Sequence, residues 1–194
     1  VFSNSVIESN GSFGINSSND LEVLNSEIYG STSDGIQIDN NTPLFVSNSI
    51  IRNNSSSGID SSGDIVIENS SVHNNESRGI DSSEDIIIEN SSVHNNGDDG
   101  IYSLKDVNIK HCVIHDNHNG IYAQQDLYCS NSVIYNNNNY GINTNQNNYL
   151  DHLTIFGNSS YGLYTGSTEL SHLKNSIVCL NNNSFNSQTN GNIE

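Results

Sequence analysis

The chain has 194 residues, of which 22 are acidic and 5 are basic, so its formal net charge is −17 at pH 7. This acidic balance excludes a nucleic-acid partner, which needs a basic surface, and it disfavours anionic polysaccharides unless a cation intervenes. No apolar run approaches the ~20 residues of a membrane span, so we expect no membrane insertion. The composition is compatible with an extracellular or cell-surface location.

The chain repeats itself with a period of about 21 residues. The phrase IENSSVHNN occurs at residues 67–75 and again at residues 88–96. A glycine before Ile or Leu marks each copy, with intervals of 21, 23, 21, 21, 20, 21 and 21 residues: Gly14, Gly35, Gly58, Gly79, Gly100, Gly120, Gly141 and Gly162. A fixed period of this length is typical of a solenoid built from stacked coils.

Each copy contains three short runs in a fixed order. In residues 69–89 these runs are SSVH, GIDS and DIIIE. Their β-branched residues and period-two alternation predict strands, and no coil has room for a chain reversal between equivalent strands. The sequence therefore predicts an all-β, right-handed parallel β-helix of about nine coils, with three short strands and ~21 residues per coil.

Small and polar residues form columns of their own between the predicted strands. An Asn column follows the first run in almost every coil: Asn10, Asn54, Asn75, Asn96, Asn117, Asn137, Asn158 and Asn181. We expect these amides to hydrogen-bond from coil to coil, and we expect these Asn residues to tolerate left-handed turn geometry. We also expect the marker glycines to supply a backbone shape that other residues resist. Cys112 and Cys129 fall on inward positions, which favours buried thiols over a disulfide, whereas Cys179 falls on an outward position.

The pattern N-S-x-V/I-x-x-N-x-x-x-G-I resembles the parallel β-helix repeats of the pectate-lyase-like superfamily. The resemblance covers essentially the whole chain and implies the fold. It leaves activity open, because that superfamily includes lyases, glycoside hydrolases, epimerases, adhesins and non-catalytic surface repeats. We interpret residues 1–194 as a single β-helix domain and expect it to be a fragment of a longer protein, because neither end contains a recognisable cap.

The segment GDDGI at residues 97–101 resembles the paired-aspartate motif of polygalacturonases. The resemblance implies Asp98 and Asp99 as acid/base candidates, since glycoside hydrolysis uses two carboxylates. The further motifs of those hydrolases are absent, and Asp-Asp-Gly is also ordinary turn chemistry. A lyase would need an Arg or Lys base with Ca²⁺, and the chain has two arginines, Arg52 and Arg78.

Two columns of outward residues are candidate metal ligands. Asp60 and Asp81 fall on adjacent coils, where a Ca²⁺ ion would relieve their repulsion. His73, His94 and His115 fall on three successive coils, where two imidazoles could meet one Zn²⁺ or Cu²⁺ ion. The alternatives are a solvated acidic edge and a tolerant surface column, because the histidine column continues with unrelated residues: Glu8, Tyr29, Arg52, Tyr135 and Phe156.

Eight of the nine tyrosines follow residue 100. Seven of these eight fall into three outward groups: Tyr102, Tyr122 and Tyr164; Tyr128 and Tyr149; and Tyr140 and Tyr161. Aromatic rings on a β face can stack on sugar rings, and Asn side chains can bond hydroxyls, which predicts a glycan-contact surface. The alternative is that Tyr simply suits exposed strand positions.

Three functions remain open from the sequence. The first is a non-catalytic secreted or cell-surface module, such as a rigid stalk or adhesin with a possible glycan contact. It is favoured because the longest insertion between repeats is two residues, which leaves no loop to build a cleft. The second is part of a carbohydrate-active enzyme, a polysaccharide lyase or glycoside hydrolase. The third is a self-assembling extracellular filament whose subunits associate end to end.

Overall fold

The computed structural model describes residues 1–166 and 171–187, which form three parallel sheets of nine strands each. Sheet A contains Phe2–Ser3, Leu21–Leu24, Leu44–Ser47, Ile65–Glu68, Ile86–Glu89, Val107–Lys110, Leu127–Ser130, Asn148–Asp151 and Ser171–Lys174. Sheet B contains Val6–Glu8, Glu27–Tyr29, Ile50–Arg52, Ser71–His73, Ser92–His94, Val113–His115, Val133–Tyr135, Thr154–Phe156 and Ile177–Cys179. Sheet C contains Ile15–Ser17, Ile36–Ile38, Ile59–Ser61, Ile80–Ser82, Ile101–Ser103, Ile121–Ala123, Ile142–Thr144, Tyr161–Thr165 and Asn183–Ser187.

Each strand pairs with the equivalent strands of the coils above and below. Ile67 lies beside Ile88 in sheet A, and Val72 lies beside Val93 in sheet B. The inward aliphatic side chains of all three sheets form one buried core that runs along the axis. The predicted parallel β-helix is therefore confirmed, and its core consists of stacked columns in which each side chain packs on its own counterpart.

Two turns per coil use left-handed backbone. The corner from sheet A to sheet B is a residue with φ between 47° and 54°: Asn4, Asn25, Asn48, Asn69, Asn90, His111, Asn131, His152 and Asn175. The bend from sheet B to sheet C uses the residue immediately before the Asn column, such as Asn53, Asn74 and Asn95. The prediction that the column itself adopts left-handed geometry is therefore wrong, since its members do not have positive φ.

The buried Asn column forms a hydrogen-bonded ladder. The amide Nδ2 of Asn54 donates to Oδ1 of Asn75 at 2.9 Å, and Asn75 donates to Asn96 in the same way at 3.0 Å. Each Oδ1 also accepts the backbone N–H of the Asn one coil below. Ser31 interrupts the column, and both Asn10 Nδ2 and Ser31 Oγ lack a partner there.

The marker glycines are required by close packing. At Gly100 an added Cβ would lie 2.7 Å from Nδ2 of Asn117 and 2.7 Å from the carbonyl oxygen of Gly120. The φ angle of Gly100 is not in the left-handed region. The expectation of an unusual backbone shape at these glycines is therefore wrong, and at Gly100 the Asn ladder and the carbonyl of the next marker glycine exclude a side chain.

The burial of the cysteines agrees with the pattern of the sequence. Cys112, Cys129 and Cys179 are free thiols, and the first two are buried, so that burial raises the pKa of each. Within residues 1–166 and 171–187, no helix has the length and apolar character needed to cross a membrane.

Candidate functional site

The three sheets separate the candidate residues onto three faces. Asp60, Asp81, Tyr102, Tyr122 and Tyr164 lie on the outer face of sheet C, with Asp98 and Asp99 in the turn that leads into it. The histidines lie on sheet B and the pair of Tyr128 and Tyr149 on sheet A. Sheet C therefore collects most of the candidates.

The outward residues of sheet C form one continuous row. We define the sheet C strip as Asp60, Asp81, Tyr102, Tyr122, Asn143 and Tyr164, which lie side by side on successive coils. At a coil spacing of about 4.8 Å the strip is about 24 Å long. All six side chains are half-buried, so the strip presents a shallow surface rather than a deep pocket.

One arginine organises the acidic end of the strip. Arg78 Nη1 donates to Oδ2 of Asp81 at 2.6 Å. Its Nε lies 3.7 Å from a carboxylate oxygen of Asp98 and 4.0 Å from one of Asp99. Arg78 thus places beside Asp81 the positive charge that we expected a Ca²⁺ ion to supply.

Among the described residues, Asp60 has no such partner at hydrogen-bonding distance. Burial, together with the charges of Asp81 and Asp34, raises the pKa of its carboxyl to about 6. Protonation of Asp60 is therefore one way in which the stacked pair relieves its repulsion. Calcium binding at Asp60 and Asp81 stays a prediction.

Arg78 also joins the acidic end to the aromatic end. Its guanidinium carbon lies 3.6 Å from the centre of the Tyr102 ring, a cation–π contact. Tyr102 in turn stacks on Tyr122, with ring centres 5.1 Å apart and planes 12° from parallel. Part of each ring face is covered by its neighbours, so the accessible parts of these tyrosines include ring edges and hydroxyls as well as faces.

Amide side chains hold the tyrosine hydroxyls. Gln124 Nε2 donates to the hydroxyl of Tyr102 at 3.1 Å, and Asn145 Nδ2 donates to that of Tyr122 at 3.4 Å. Both amides belong to the turns that follow the strands of sheet C. The result is a row that alternates phenol and amide groups, a mixture that suits a polyhydroxylated ligand.

A second tyrosine group lies at the far end of the strip. The ring centre of Tyr140 is 4.9 Å from that of Tyr164 and 6.0 Å from that of Tyr161. The Tyr161 and Tyr164 rings are 5.8 Å apart and tilted by 51°. Asn143 lies between this group and Tyr122 in the strip.

The paired aspartates differ in environment. Asp99 is buried, and its Oδ1 accepts a hydrogen bond of 2.6 Å from Nδ2 of Asn119. Burial raises the pKa of Asp99. The side chain of Asp98 is half exposed and faces Arg78. A catalytic role for either carboxyl stays a prediction.

The histidines belong to a longer column on sheet B. We define the planar ladder as Tyr29, Arg52, His73, His94, His115, Tyr135 and Phe156. Consecutive imidazole centres are 4.7 Å apart with planes within 5° of parallel, and His115 continues onto Tyr135 at 4.6 Å. Arg52 lies 4.2 Å above the Tyr29 ring at the other end.

Two imidazoles of the planar ladder, His73 and His94, resist protonation. Burial, together with the neighbouring His115 and His73, lowers the pKa of His94 to about 4. Burial and then Arg52 lower the pKa of His73. Among the residues that the structure describes, no group of three His, Cys, Asp or Glu side chains could hold a metal ion. Transition-metal binding here stays a prediction.

Sheet A carries the remaining aromatic pair. Tyr128 stacks on Tyr149 at 4.7 Å, and Tyr149 lies 5.5 Å from the ring of His172. The coil below places Asn108 beside Tyr128, and the next two coils continue this outward row with Ile87 and Val66. Tyr128 and Tyr149 are more exposed than the tyrosines of sheet C.

Sequence reasoning missed three participants in the strip: Arg78, Gln124 and Asn145. Arg78 was noted only as one of two arginines, although it falls one residue before a marker glycine and three before Asp81. Gln124 and Asn145 each lie two residues after the strip position of their own coil, Tyr122 and Asn143. This spacing alone does not indicate a contact with the tyrosine of the coil below.

Comparison with known proteins agrees with this architecture. The family model described as right handed beta helix region matches residues 1–84 and 61–194. The chain belongs to this family, which also fixes the hand that the repeat pattern predicted. No curated protein and no solved structure gave a significant match.

Proposed function

We propose that the chain is a rigid, non-catalytic module of a secreted or cell-surface protein that contacts a glycan through the sheet C strip. The observation that supports this proposal is the concentration of five tyrosines on one face: Tyr102, Tyr122, Tyr140, Tyr161 and Tyr164. Amide and carboxylate groups lie among them, so apolar and hydrogen-bonding contacts to a sugar chain are both available.

The dimensions of the strip suit an extended ligand. Its groups recur at the coil spacing of about 4.8 Å, and the half-buried rings are held by stacking and by the amides of Gln124 and Asn145. A surface that is ordered before binding loses little side-chain entropy on association. A linear glycan laid along the axis could therefore contact several coils at once.

Regularity favours a binding role over catalysis. The longest insertion between repeats is two residues, so the strip is not walled by long loops that would exclude water from a reacting bond. The potential acid/base pair, Asp98 and Asp99, shares its surroundings with the guanidinium of Arg78. This arginine lowers the pKa of Asp99, although burial has the larger effect and raises it, so it is the lack of a walled cleft that favours binding over catalysis.

The test is a glycan array followed by titration of the best ligand into the wild-type chain and two double variants. We expect Tyr102→Ala/Tyr122→Ala to weaken binding at least tenfold, because removing an aromatic contact costs about 1 kcal/mol or more per ring. The matched control is Tyr128→Ala/Tyr149→Ala, which removes an equally stacked pair from sheet A. Equal affinities in all three forms would reject the strip as the contact surface.

A reducing-sugar assay on the same ligand tests the non-catalytic part of the proposal. We expect no product after prolonged incubation with the wild-type chain. Turnover that is lost in Asp99→Asn would instead support the glycoside hydrolase alternative.

A further inference from the structure

A long groove follows the corner between sheets A and B, on a different side of the molecule from the sheet C strip. Two segments of it, of about 680 Å³ and 440 Å³, share the residues Asn48 and Ile50 and are therefore one feature. We call it the corner groove. It crosses six coils, which at a spacing of about 4.8 Å gives it a length of about 24 Å.

Equivalent residues of successive coils line the groove. One wall is the left-handed corner column: Asn4, Asn25, Asn48, Asn69, Asn90 and His111. In the first five coils the floor is the serine that follows the corner residue, and in all six the other wall is the first residue of the next sheet B strand. The groove exists because the floor serine turns its side chain inward: Ser70 Oγ accepts the N–H of Ser49 and donates to the carbonyl of Glu68.

Three amides of the corner column are available to a ligand. Asn25, Asn69 and Asn90 are exposed, and among the described residues their side-chain amides have no hydrogen-bond partner. The amides of Asn4 and Asn48 instead donate to Ser3 and Ser47. Left-handed backbone explains why Asn occupies the corner. Asn25, Asn69 and Asn90 nevertheless each place a donor and an acceptor at the same height on their coils, in a row along the groove.

The opposite wall is partly apolar. Ile50 and Val113 are exposed at 40% and 38%, and between them lie Ser71 and Ser92, whose hydroxyls are 2.8 Å apart. Exposed aliphatic side chains facing a row of amides provide both kinds of contact that a sugar chain needs, for its C–H faces and for its hydroxyls.

The groove is almost neutral although the chain has a net charge of −17. Glu27 is the one acidic residue along its two segments, and Arg52 pairs with it at 2.7 Å. A charged ligand would therefore gain no ion pair there, and an anionic one would be repelled by the rest of the surface. The groove follows the solenoid axis along one row of residues per coil, which suits an extended, linear chain.

We infer that the corner groove is a second binding site and that its ligand class is an uncharged, unbranched polysaccharide lying along the solenoid axis. This inference does not depend on the sheet C strip. The corner amides bond the ligand hydroxyls coil by coil, and Ile50 and Val113 pack against its C–H faces.

The experiment uses four neutral β-1,4-linked hexasaccharides, built from glucose, mannose, xylose or galactose, titrated calorimetrically into the full chain. A galacturonic acid hexamer and a glucosamine hexamer are the charged comparisons. The informative variant is Asn69→Gly/Asn90→Gly, because Gly keeps the left-handed backbone and removes only the amides. Thermal melting of this variant confirms that the fold is kept.

We expect at least one neutral hexasaccharide to bind, and we expect its affinity to fall about tenfold in Asn69→Gly/Asn90→Gly through the loss of two hydrogen bonds. The control Tyr102→Ala/Tyr122→Ala should leave this affinity unchanged, whereas loss in that control alone would assign the binding to the sheet C strip. The inference is overturned if no neutral hexasaccharide binds, if the Gly variant binds equally well, or if a charged hexamer binds more tightly and is the one affected by the Gly variant.

Discussion

The side-chain amide of Asn75 donates to Oδ1 of Asn96 at 3.0 Å, and the backbone N–H of Asn75 donates to the same oxygen at 3.2 Å. One oxygen thus satisfies two buried donors of the coil below. The same double contact joins Asn54 to Asn75 and Asn137 to Asn158. Coil-to-coil register in this protein is therefore specified by side chains as well as by the sheets.

Replacing Asn96 with Ala should destabilise the chain by about 3 kcal/mol, because two donors of Asn75 would stay buried without an acceptor. Urea unfolding provides the measurement. The matched control is Asn95→Gly, one residue earlier, where the side chain is exposed and the backbone is left-handed. That change should cost less than about 0.5 kcal/mol. Equal costs at the two positions would show that the ladder is not a source of stability.

Replacing Gly100 with Ala should destabilise the chain by about 2 kcal/mol through overpacking against Asn117 and Gly120. The comparison is Gly11→Ala, where an added Cβ has nothing within 4 Å. That substitution should be neutral or slightly stabilising, since Ala lowers the entropy of the unfolded chain. A harmless Gly100→Ala, measured by thermal melting, would contradict the close-packing explanation of the marker glycines.

The planar ladder should make the protein less stable in acid. His94 has its pKa lowered to about 4 in the folded chain, below its ordinary value of 6.5. Between these values the unfolded chain binds a proton that the folded chain does not, so stability falls as pH decreases from about 6.5 to about 4. Charged neighbours of the imidazoles act in opposite directions. Arg52 lowers the pKa of His73, whereas Asp116 raises that of His94.

His94→Gln removes this titration and should flatten the acid side of the stability curve. Urea unfolding at pH 7, 6, 5 and 4 measures the slope for both chains. Identical slopes would mean that the stacked imidazoles titrate normally and that the ladder has no role in acid sensitivity.

Asp60 should make folding stability depend on pH in the opposite direction. Its folded pKa of about 6 lies above its ordinary value of 3.8, so its contribution is fully present below about pH 4 and is lost as pH rises through about 6. Asp60→Asn should therefore stabilise the chain at pH 7.5, by about 1 kcal/mol after allowing for solvent screening at a half-exposed site. At pH 3.5 the two chains should be nearly equal. A variant that is destabilised at pH 7.5 would indicate that the Asp60 carboxylate has a favourable partner.

The fold could be predicted because each coil repeats the same chemistry at nearly the same interval. Once Gly79 and Gly100 are aligned, Val72 must lie beside Val93 and His73 beside His94, as the strand pairing confirms. The columns of outward residues follow from this alignment alone. A solenoid converts sequence spacing directly into spatial neighbours, which few other folds do.

The details of the turns could not be predicted in the same way. The left-handed residue is Asn74 and the ladder residue is Asn75, and both are Asn in the repeated phrase. The residue type alone does not distinguish an Asn that adopts left-handed backbone from an Asn whose side-chain amide joins the ladder. Similarly, the position of the Arg78 guanidinium between Asp81 and Tyr102 depends on a long side chain whose direction the period does not specify. The corner groove was missed because it is made by the inward turn of a serine.

The most direct test of the proposed function is an NMR titration of the isotope-labelled chain with the best ligand from the glycan array. Binding through the sheet C strip predicts chemical-shift changes centred on Tyr102, Tyr122, Asn143 and Tyr164, and an intact ligand at the end of the titration. Changes centred on Tyr128 and Tyr149, or cleavage of the ligand during the titration, would contradict the proposal.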